Sequence, residues 1–358
     1  MIPMGTLHGL SRLQQLTWPD HLDVPIEEIE ASSRLEVFQG RLNSIRDLNR
    51  LINSRKIGEQ SFLYNIRISS RKTFKPREDL ILRWKHLSFR KDSLMESSLD
   101  TDKYMLPRYI EILSFSRSGL SGCLLDDFPM SNYARDLKEC WIQKEDKIEC
   151  IMRLENEQHS STGVPFQSLK TMYMSGLPNL IGLFKWEAVA PLPPGTFSCL
   201  EYLTIHGCGK IEKLFPQSLA HNFHNLQELT VENCVQMEEI IEDDNNEGAD
   251  ITLPKLRNLY LENLPQLKSI CKGKMICDSI ESINLKGIDN VKELPLNLPL
   301  LHGQLSPPPR LEKIVVDDKE WWESLEWDHH NAKNVLQPLV SFENPFETGL
   351  ILPCILTS

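Results

Sequence analysis

A ladder of apolar residues recurs along this chain and constrains the fold more than any other feature of the sequence. In its clearest copy the apolar residues are Leu200, Leu203, Ile205, Cys208, Ile211 and Leu214. Other copies begin at Leu169, Leu226, Leu256, Ile280 and Leu311, so that successive copies start 24 to 31 residues apart. Repeats of about this length indicate a solenoid, in which each copy forms one coil and stacks on its neighbours.

The spacing within a copy indicates how each coil folds. Residues alternate around Leu203 and Ile205, so a short strand points two apolar side chains inward and three residues outward. The later apolar positions, three residues apart, turn the chain back beneath the strand. One copy cannot bury its own leucines, so the strands must stack into a parallel sheet. The sequence therefore predicts an α/β leucine-rich-repeat solenoid, a curved horseshoe with the parallel sheet on its concave face and irregular loops or short helices on its convex face.

The regularity of the ladder divides the chain into three predicted parts. Residues 134–328 hold the regular copies, including a coil interrupted at Glu145 and a last copy interrupted at Lys319. The tryptophan-rich residues 321–327 are expected to cap the open end of the solenoid. Residues 1–133 carry degenerate copies, with a predicted coil from Leu35, a helix within residues 45–57 and a strand over residues 64–68. Residues 329–358 are expected to form a poorly ordered tail.

Composition limits the cellular setting. The chain has a net charge of −11, a hydrophobic fraction of 41% and nine cysteines without the regular pairing of a disulfide framework. It lacks an apolar run of about 18 residues and a basic cap followed by an apolar stretch, so we expect neither a membrane span nor a secretory signal. These features predict a protein of the cytoplasm or the nucleus.

Sequence signals of catalysis and of cofactor binding are weak. The segment Gly207 to Lys210 lacks the first glycine and the following Ser or Thr of a phosphate-binding loop. His221 and His224 share a helical spacing, but no cluster of further ligands accompanies them. The lysines beside Cys271 and Cys277 could lower a thiol pKa, yet no catalytic partner follows. We therefore predict no enzyme activity, no cofactor and no metal site.

The amino-acid sequences of the repeats resemble those of a known family. Residues 197–215, 226–241 and 253–270, together with Trp322 to Trp327, resemble the leucine-rich-repeat region of plant intracellular disease-resistance proteins of the coiled-coil, nucleotide-binding type. The resemblance is strong over residues 134–328 and loose before them. Neither the coiled coil nor the nucleotide-binding domain of such receptors is visible here, so nucleotide binding is not carried over. The resemblance implies recognition of pathogen effectors or guarded host proteins.

Outward positions of the predicted strands are the candidate protein-binding surface, where aromatic side chains anchor a partner and charges select it. The candidates are Tyr173, Tyr202, Thr204, His206, Glu228, Thr230, Glu232, Asn258, Tyr260, Glu262, Asn284 and Lys286. The alternative is that these residues only cover the sheet. A second functional hypothesis is a repeat scaffold of another class, such as the substrate receptor of a ubiquitin ligase, although no F-box-like segment is visible.

A basic stretch precedes the regular repeats. Residues 41–91 hold 14 basic and four acidic side chains. In the resembled family the first repeats pack on the nucleotide-binding domain and restrain it, which implies that domain as a partner in cis or in trans. The candidate docking residues are Arg67, Arg71, Lys72, Lys75 and Arg77. A solvated basic face is the plain alternative, and nucleic acid is not predicted because aromatic residues are sparse and the whole chain is acidic.

Overall fold

The computed structural model describes residues 10, 12–18, 26–54, 60–69, 85–90, 106–128, 135–154, 164–186, 194–244 and 248–343. The chain divides into two compact units, Met1–Ile211 and Glu212–Ser358. Within the described residues, no helix is both long enough and apolar enough to cross a membrane.

The first unit is built on a parallel sheet. Its strands pair in the order β1, β2, β3, β4, β5, β7, β10 and β12, and every pair is parallel. These main-sheet strands are β1 (Gln15–Thr17), β2 (Val37–Leu42), β3 (Leu63–Ile68), β4 (His86–Arg90), β5 (Ile112–Ser116), β7 (Glu139–Gln143), β10 (Thr171–Ser175) and β12 (Tyr202–His206). Each connection between neighbouring strands is one coil of the predicted solenoid, so the α/β repeat architecture is confirmed.

The remaining elements of the first unit lie on the connections between these strands. They are β6 (Gly122–Cys123), β8 (Ile148–Cys150), β9 (Met152–Leu154), β11 (Phe184–Trp186), α1 (Ile26–Ala31), α2 (Ile45–Asn53) and α3 (Leu124–Asp127). Strand β6 pairs with β8, and β9 pairs with β11, again in parallel. The connections between the main-sheet strands therefore hold short parallel ladders as well as helices and loops.

The second unit repeats this plan. Its main sheet runs β14, β17, β19, β22 and β23 in parallel, while β13 pairs with β15, β16 pairs with β18, and β20 forms an antiparallel hairpin with β21. The strands are β13 (Lys213–Pro216), β14 (Glu228–Glu232), β15 (Glu239–Glu242), β16 (Ile251–Thr252), β17 (Asn258–Glu262), β18 (Met275–Ile276), β19 (Ser282–Lys286), β20 (Leu300–Leu301), β21 (Gln304–Leu305), β22 (Lys313–Val316) and β23 (Val340–Phe342). The helices are α4 (Lys319–Ser324) and α5 (Ala332–Leu336), with 3-10 turns at Gln217–Phe223 and Gln337–Leu339.

The apolar ladder forms the core of both units. Leu203, Ile205 and Cys208 are 0% exposed in the first unit, and Leu259, Leu261 and Leu264 are 0% exposed in the second. Full burial of each large side chain contributes about 1.5–3 kcal/mol. Where apolar residues follow each other at intervals of three, the chain forms tight turns. One of them is closed by a hydrogen bond of 3.0 Å from the Leu267 N–H to the Leu264 carbonyl. The core was therefore predictable from the spacing of apolar residues.

The residue after a main-sheet strand adopts a left-handed backbone conformation in several coils. Its φ is 63° at Gly207 and 59° at Gly287, while Asn233 and Asn263 have φ values of 55° and 54°. Glycine and asparagine accept this conformation at the lowest steric cost. This turn leads the chain out of the strand into the connection, and it explains why Gly or Asn recurs one residue beyond the strand.

Glu145 interrupts the ladder without breaking the coil. It is 1% exposed, and its carboxylate accepts hydrogen bonds from the N–H and the hydroxyl of Ser118 at 2.6 and 2.8 Å. The N–H groups of Gly119 and Leu120 donate to its other oxygen at 3.1 and 3.3 Å. Burial raises the pKa of Glu145, and these donated bonds act in the opposite direction. The polar residue therefore ties its own coil to the turn of the preceding one.

The structure also confirms the local predictions for the N-terminal part. The helix predicted within residues 45–57 is α2, which buries Ile45, Leu48 and Leu51 and is capped by the Ser44 hydroxyl. The predicted strand at 64–68 is β3, and the coil predicted from Leu35 continues into β2. Degenerate spacing therefore still produced regular parallel pairing.

The C-terminal part differs from the sequence expectation of a poorly ordered tail after Asp328. Residues 332–343 form α5, a 3-10 turn and β23, which adds a parallel strand beside β22. Residues 344–358 lie outside the described part of the chain. The tryptophan-rich cap is therefore not the last element: Trp322 packs edge-on against Trp327, and its Nε1 donates to Gln337 Oε1 at 3.0 Å. A tail without the leucine ladder gave no signal for this extra strand.

Candidate recognition surface

Aromatic rings lie at outward positions of three neighbouring strands of the first unit, β7, β10 and β12. We define the aromatic face as Glu139, Trp141, Gln143, Tyr173, Ser175, Tyr202 and His206, all of which lie at outward positions of β7, β10 and β12. Strand register places Trp141 beside Tyr173, with ring centroids 4.9 Å apart and planes inclined by 34°. Both side chains are half-buried, so each presents part of its ring to a partner.

Polar contacts fix these rings and their neighbours in place. The Trp141 indole donates to Glu139 Oε2 at 3.0 Å, and Ser175 Oγ lies 3.3 Å from His206 Nδ1. Preorganised aromatic side chains lose little conformational freedom on binding, which favours them as anchors at protein interfaces. The aromatic face therefore offers a fixed, nearly uncharged contact area.

Trp141 was missing from the predicted recognition residues. The predicted recognition residues lie in the clear copies of the ladder, whereas Trp141 belongs to the preceding coil, which Glu145 interrupts. Its signal was present in the alternation of buried Cys140 and Ile142 around an outward tryptophan. Including the outward positions of β7 adds Trp141 to the predicted surface.

The corresponding side of the second unit is acidic. We define the acidic face as Glu228, Glu232, Asn258, Tyr260, Glu262, Ser282 and Asn284, at outward positions of β14, β17 and β19. Glu232 lies directly beside Glu262 in the strand register, and Glu228 lies beside Asn258. Burial raises the pKa of Glu228, although side-chain hydrogen bonds from Asn258 and Thr230 lower it. Burial and the Glu228 charge likewise raise the pKa of Tyr260, which keeps the phenol neutral.

Three predicted recognition residues are buried rather than exposed. Thr204 and Thr230 are 6% and 4% exposed, because a short threonine lies lower than the tyrosine beside it on the next strand. Lys286 is 5% exposed, and its Nζ lies 3.0 Å from Glu343 Oε2, just beyond β23. The remaining nine candidates are at least partly accessible.

The basic stretch is only partly within the described residues. Arg71, Lys72, Lys75 and Arg77 lie outside them, whereas Arg67 is half-buried on β3. Several other cations of the stretch serve the fold: Arg41 donates to the Ser69 carbonyl at 3.0 Å, Arg50 pairs with Glu27 and Glu30, and Lys85 pairs with Glu111.

Two buried cysteines and a groove of the second unit combine thiols and charged side chains. Burial raises the pKa of Cys271 and of Cys277 to about 12, so the neighbouring lysines do not produce a reactive thiolate. A groove of about 430 Å³ is lined in part by Lys274, Trp327 and Asp328, and an ion pair joins Lys274 to Asp328. In the described part of the chain, no group of His, Cys, Asp or Glu is arranged to hold a metal ion.

Comparison with known proteins finds a partial match to a plant repeat family. Residues 184–294 match the family model of plant disease resistance protein RPS2-like leucine-rich repeats. Over these residues the chain is similar to the leucine-rich repeats of plant disease-resistance proteins. It is 34% identical over 100 residues to probable disease resistance protein At4g27220 of Arabidopsis thaliana, which covers 27% of this chain and 11% of the relative.

Other disease-resistance repeats show the same partial match. Disease resistance protein At4g27190 of Arabidopsis thaliana is 29% identical over 146 residues, or 41% of this chain and 13% of the relative. Probable disease resistance protein At5g63020 of the same plant is 28% identical over 152 residues, or 41% of this chain and 16% of the relative. The chain thus spans only a small part of the disease-resistance proteins that it matches.

Proposed function

We propose that this chain is the recognition region of a plant immune receptor and binds pathogen effectors or guarded host proteins through the outward side of its parallel sheet. The observation that carries the proposal is the aromatic face, in which Trp141 and Tyr173 pack 4.9 Å apart on adjacent strands. Tryptophan and tyrosine dominate the binding energy of protein interfaces when they lie in preformed contact areas. The match to a repeat family supports action by binding and not by catalysis.

Site-specific photo-crosslinking tests this recognition proposal. A photoreactive phenylalanine analogue replaces Tyr173 or Tyr260 on the outward side, while Ile181 and Val235 serve as matched exposed positions on the turns, at 44% and 49% exposure. Each variant is expressed in leaves together with a library of pathogen effectors. We expect crosslinked partners from Tyr173 or Tyr260 and none shared with the turns. Equal crosslinking at Ile181 and Val235 would remove the case for a dedicated face.

The basic stretch supports a second part of the proposal, in which the first coils dock on a nucleotide-binding domain and restrain it. The support is the family resemblance together with the 14 basic side chains of residues 41–91. We expect reversal of Arg71, Lys72, Lys75 and Arg77 to glutamate to weaken binding to a matching nucleotide-binding domain about tenfold or more. The matched control reverses four exposed lysines of the second unit. They are Lys255, Lys268, Lys272 and Lys292.

Both outcomes of the docking experiment are informative, because the two variants change the charge equally. Surface plasmon resonance with the full chain measures the affinity. Unchanged affinity after reversal of the basic stretch, or equal loss with the control, would contradict docking through that stretch. The recognition proposal would remain, since it rests on a different surface.

The proposal places the receptor in the cytoplasm or the nucleus. Seven cysteines of the described residues are buried as free thiols, and an eighth, Cys199, is exposed as a free thiol. Thiols in this state suit a reducing compartment. Fractionation of leaf cells expressing the tagged chain tests the location, and recovery from the apoplastic fluid would contradict it.

A further inference from the structure

We propose that Cys123 and Cys150 form an oxidation site, in which a hydroperoxide converts the two thiols into a disulfide that joins two consecutive coils of the first unit. This inference goes beyond the proposed recognition function and does not depend on it. It is carried by the strand register that places the two cysteines opposite each other and by the charges around one of them. Both cysteines are free thiols in the structure.

Strand register brings the two cysteines together. Cys123 ends β6, Cys150 ends β8, and the two residues are direct partners in the parallel pairing of these strands. Neighbouring strands lie about 4.8 Å apart, within the range of about 4.4–6.8 Å that separates the Cα atoms of disulfide-bonded cysteines. Both cysteines are 0% exposed, so both thiols lie on the inward side. The backbone is therefore already placed for a disulfide.

A bulge in this short ladder makes the pair possible. Gly122 pairs with Ile148, and the next pair joins Cys123 to Cys150, so the register passes over Glu149. Without this shift Cys123 would lie opposite Glu149, whose side chain points to the other side of the strand from Cys150. The bulge therefore places both thiols on the same inward face.

The surroundings activate Cys150 and not Cys123. A hydrogen bond with the Cys123 thiol lowers the pKa of Cys150, and the charges of Arg153 and Lys185 lower it further, whereas burial and the Asp126 charge act in the opposite direction. The same hydrogen bond, together with burial, raises the pKa of Cys123. Because the thiolate is the nucleophile, Cys150 is the attacking sulfur and Cys123 is the resolving one.

The oxidation proceeds in two balanced steps. The Cys150 thiolate attacks one oxygen of hydrogen peroxide, the O–O bond breaks, and a sulfenic acid and a hydroxide ion form. The Cys123 thiol then attacks the sulfenic sulfur, the S–O bond breaks, and the disulfide and water form. The two sulfur atoms together give up two electrons, which the peroxide oxygens accept.

Short elements around the pair provide access for the oxidant. Strand β6 has two residues, and helix α3, which follows Cys123 directly, has four. Elements with so few hydrogen bonds open locally at a small fraction of the free energy of global unfolding. Hydrogen peroxide is little larger than water. We therefore expect oxidation through local opening of β6 and α3, with the main sheet intact.

Peptide mapping of the full chain tests the proposal. The chain is reduced, freed of reductant and treated with hydrogen peroxide, and the remaining thiols are alkylated under denaturing conditions. Trypsin then separates the two cysteines, because residues 118–135 and residues 148–153 form two peptides with one cysteine each. We expect these two peptides to be joined after peroxide treatment and to be released by dithiothreitol.

Two sets of cysteines in the same chain serve as matched controls. Cys271 and Cys277 are also buried, but burial raises the pKa of each to about 12, so they should remain thiols and be alkylated. Cys199 is exposed and reports oxidation that follows exposure alone.

Two substitutions assign the roles of the sulfurs. In Cys123→Ser the sulfenic acid at Cys150 has no resolving thiol, so dimedone should label Cys150. In Cys150→Ser the attacking thiolate is gone, and dimedone should leave Cys123 unlabelled. Far-UV circular dichroism checks that both variants fold, and the peptide map of the unmodified chain needs no substitution.

The outcomes decide the proposal in either direction. Selective joining of the peptides that hold Cys123 and Cys150 supports it. Alkylation of both cysteines after a treatment that oxidises Cys199 overturns it, as does equal joining of the peptides that hold Cys271 and Cys277. Equal dimedone labelling of the two variants would contradict the assignment of Cys150 as the attacking sulfur.

Discussion

The two units share one inward plan and differ in what they present outward. Both bury a leucine ladder beneath a parallel sheet, as in Leu203 of the first unit and Leu259 of the second, each 0% exposed. Strands β7, β10 and β12 of the first unit present the Trp141 and Tyr173 rings, whereas strands β14 and β17 of the second present Glu232 and Glu262 in register. Because the inward residues form the core of the coil, most outward positions are free to differ in their chemistry. Stability and specificity are therefore encoded at alternate positions of the same short strands.

The largest expected effect tests this division directly. Leu203→Ala and Leu259→Ala should each lower the free energy of unfolding by about 2–5 kcal/mol, because a buried leucine leaves a cavity. The outward substitutions Tyr173→Ala and Tyr260→Ala should each cost about 1 kcal/mol or less. Urea denaturation followed by circular dichroism measures all four. Outward losses as large as the inward ones would break the comparison.

A second prediction contrasts the two polar interruptions of the ladder. Glu145→Ala should cost about 2–3 kcal/mol, since it leaves the N–H groups of Ser118, Gly119 and Leu120 without their acceptor. Lys319→Ala should change stability by less than about 0.5 kcal/mol, because Lys319 is exposed at the start of α4. The same denaturation experiment checks both. A small effect of Glu145→Ala would mean that water replaces the carboxylate in that coil.

These two interruptions show how far the sequence could be interpreted. Regular apolar spacing was enough to predict the parallel sheet, the core and most outward positions, because burial alone dictates that pattern. It could not tell that Glu145 is buried and Lys319 exposed, since both occupy the same ladder position. That distinction depends on donors in another coil, namely the backbone of residues 118–120. The sequence of a single repeat therefore does not predict which contacts its residues make with another coil.

The acidic face shows the same limit. Glu232 and Glu262 were predicted from alternation, whereas the burial of Lys286 depends on Glu343, 57 residues farther along the chain. The strand that precedes Glu343 carries no leucine ladder, so the sequence predicted a poorly ordered tail there. Trp141 was missing from the predicted surface for a different reason, because its coil departs from the apolar ladder at a single position, Glu145. The missed features therefore lie where the repeat is interrupted or ends.

A third prediction uses the ion pair that ends the second unit. Glu343→Ala should lower the free energy of unfolding by about 1 kcal/mol, because Lys286 is left nearly buried without its carboxylate. The effect is modest since the Glu343 side chain is 48% exposed and solvent screens the pair. Glu320→Ala, at an exposed position of α4, is the control and should change stability little. Equal stability of the two variants would show that residues beyond Asp328 add nothing to the unit.

The last prediction compares the titration of one carboxylate in each unit. Burial raises the folded-state pKa of Glu145 and of Glu228 above the ordinary value of 4.5. The folded chain then binds more protons than the unfolded chain just above pH 4.5, so each group's contribution to stability is complete below that pH and is lost as pH rises through the folded-state pKa. Glu145→Gln and Glu228→Gln should each reduce this loss, which urea denaturation at a series of pH values measures. If either variant retained the full pH dependence of the unmodified chain, the hydrogen bonds to that carboxylate would have to balance its burial, and its folded-state pKa would equal its unfolded-state value.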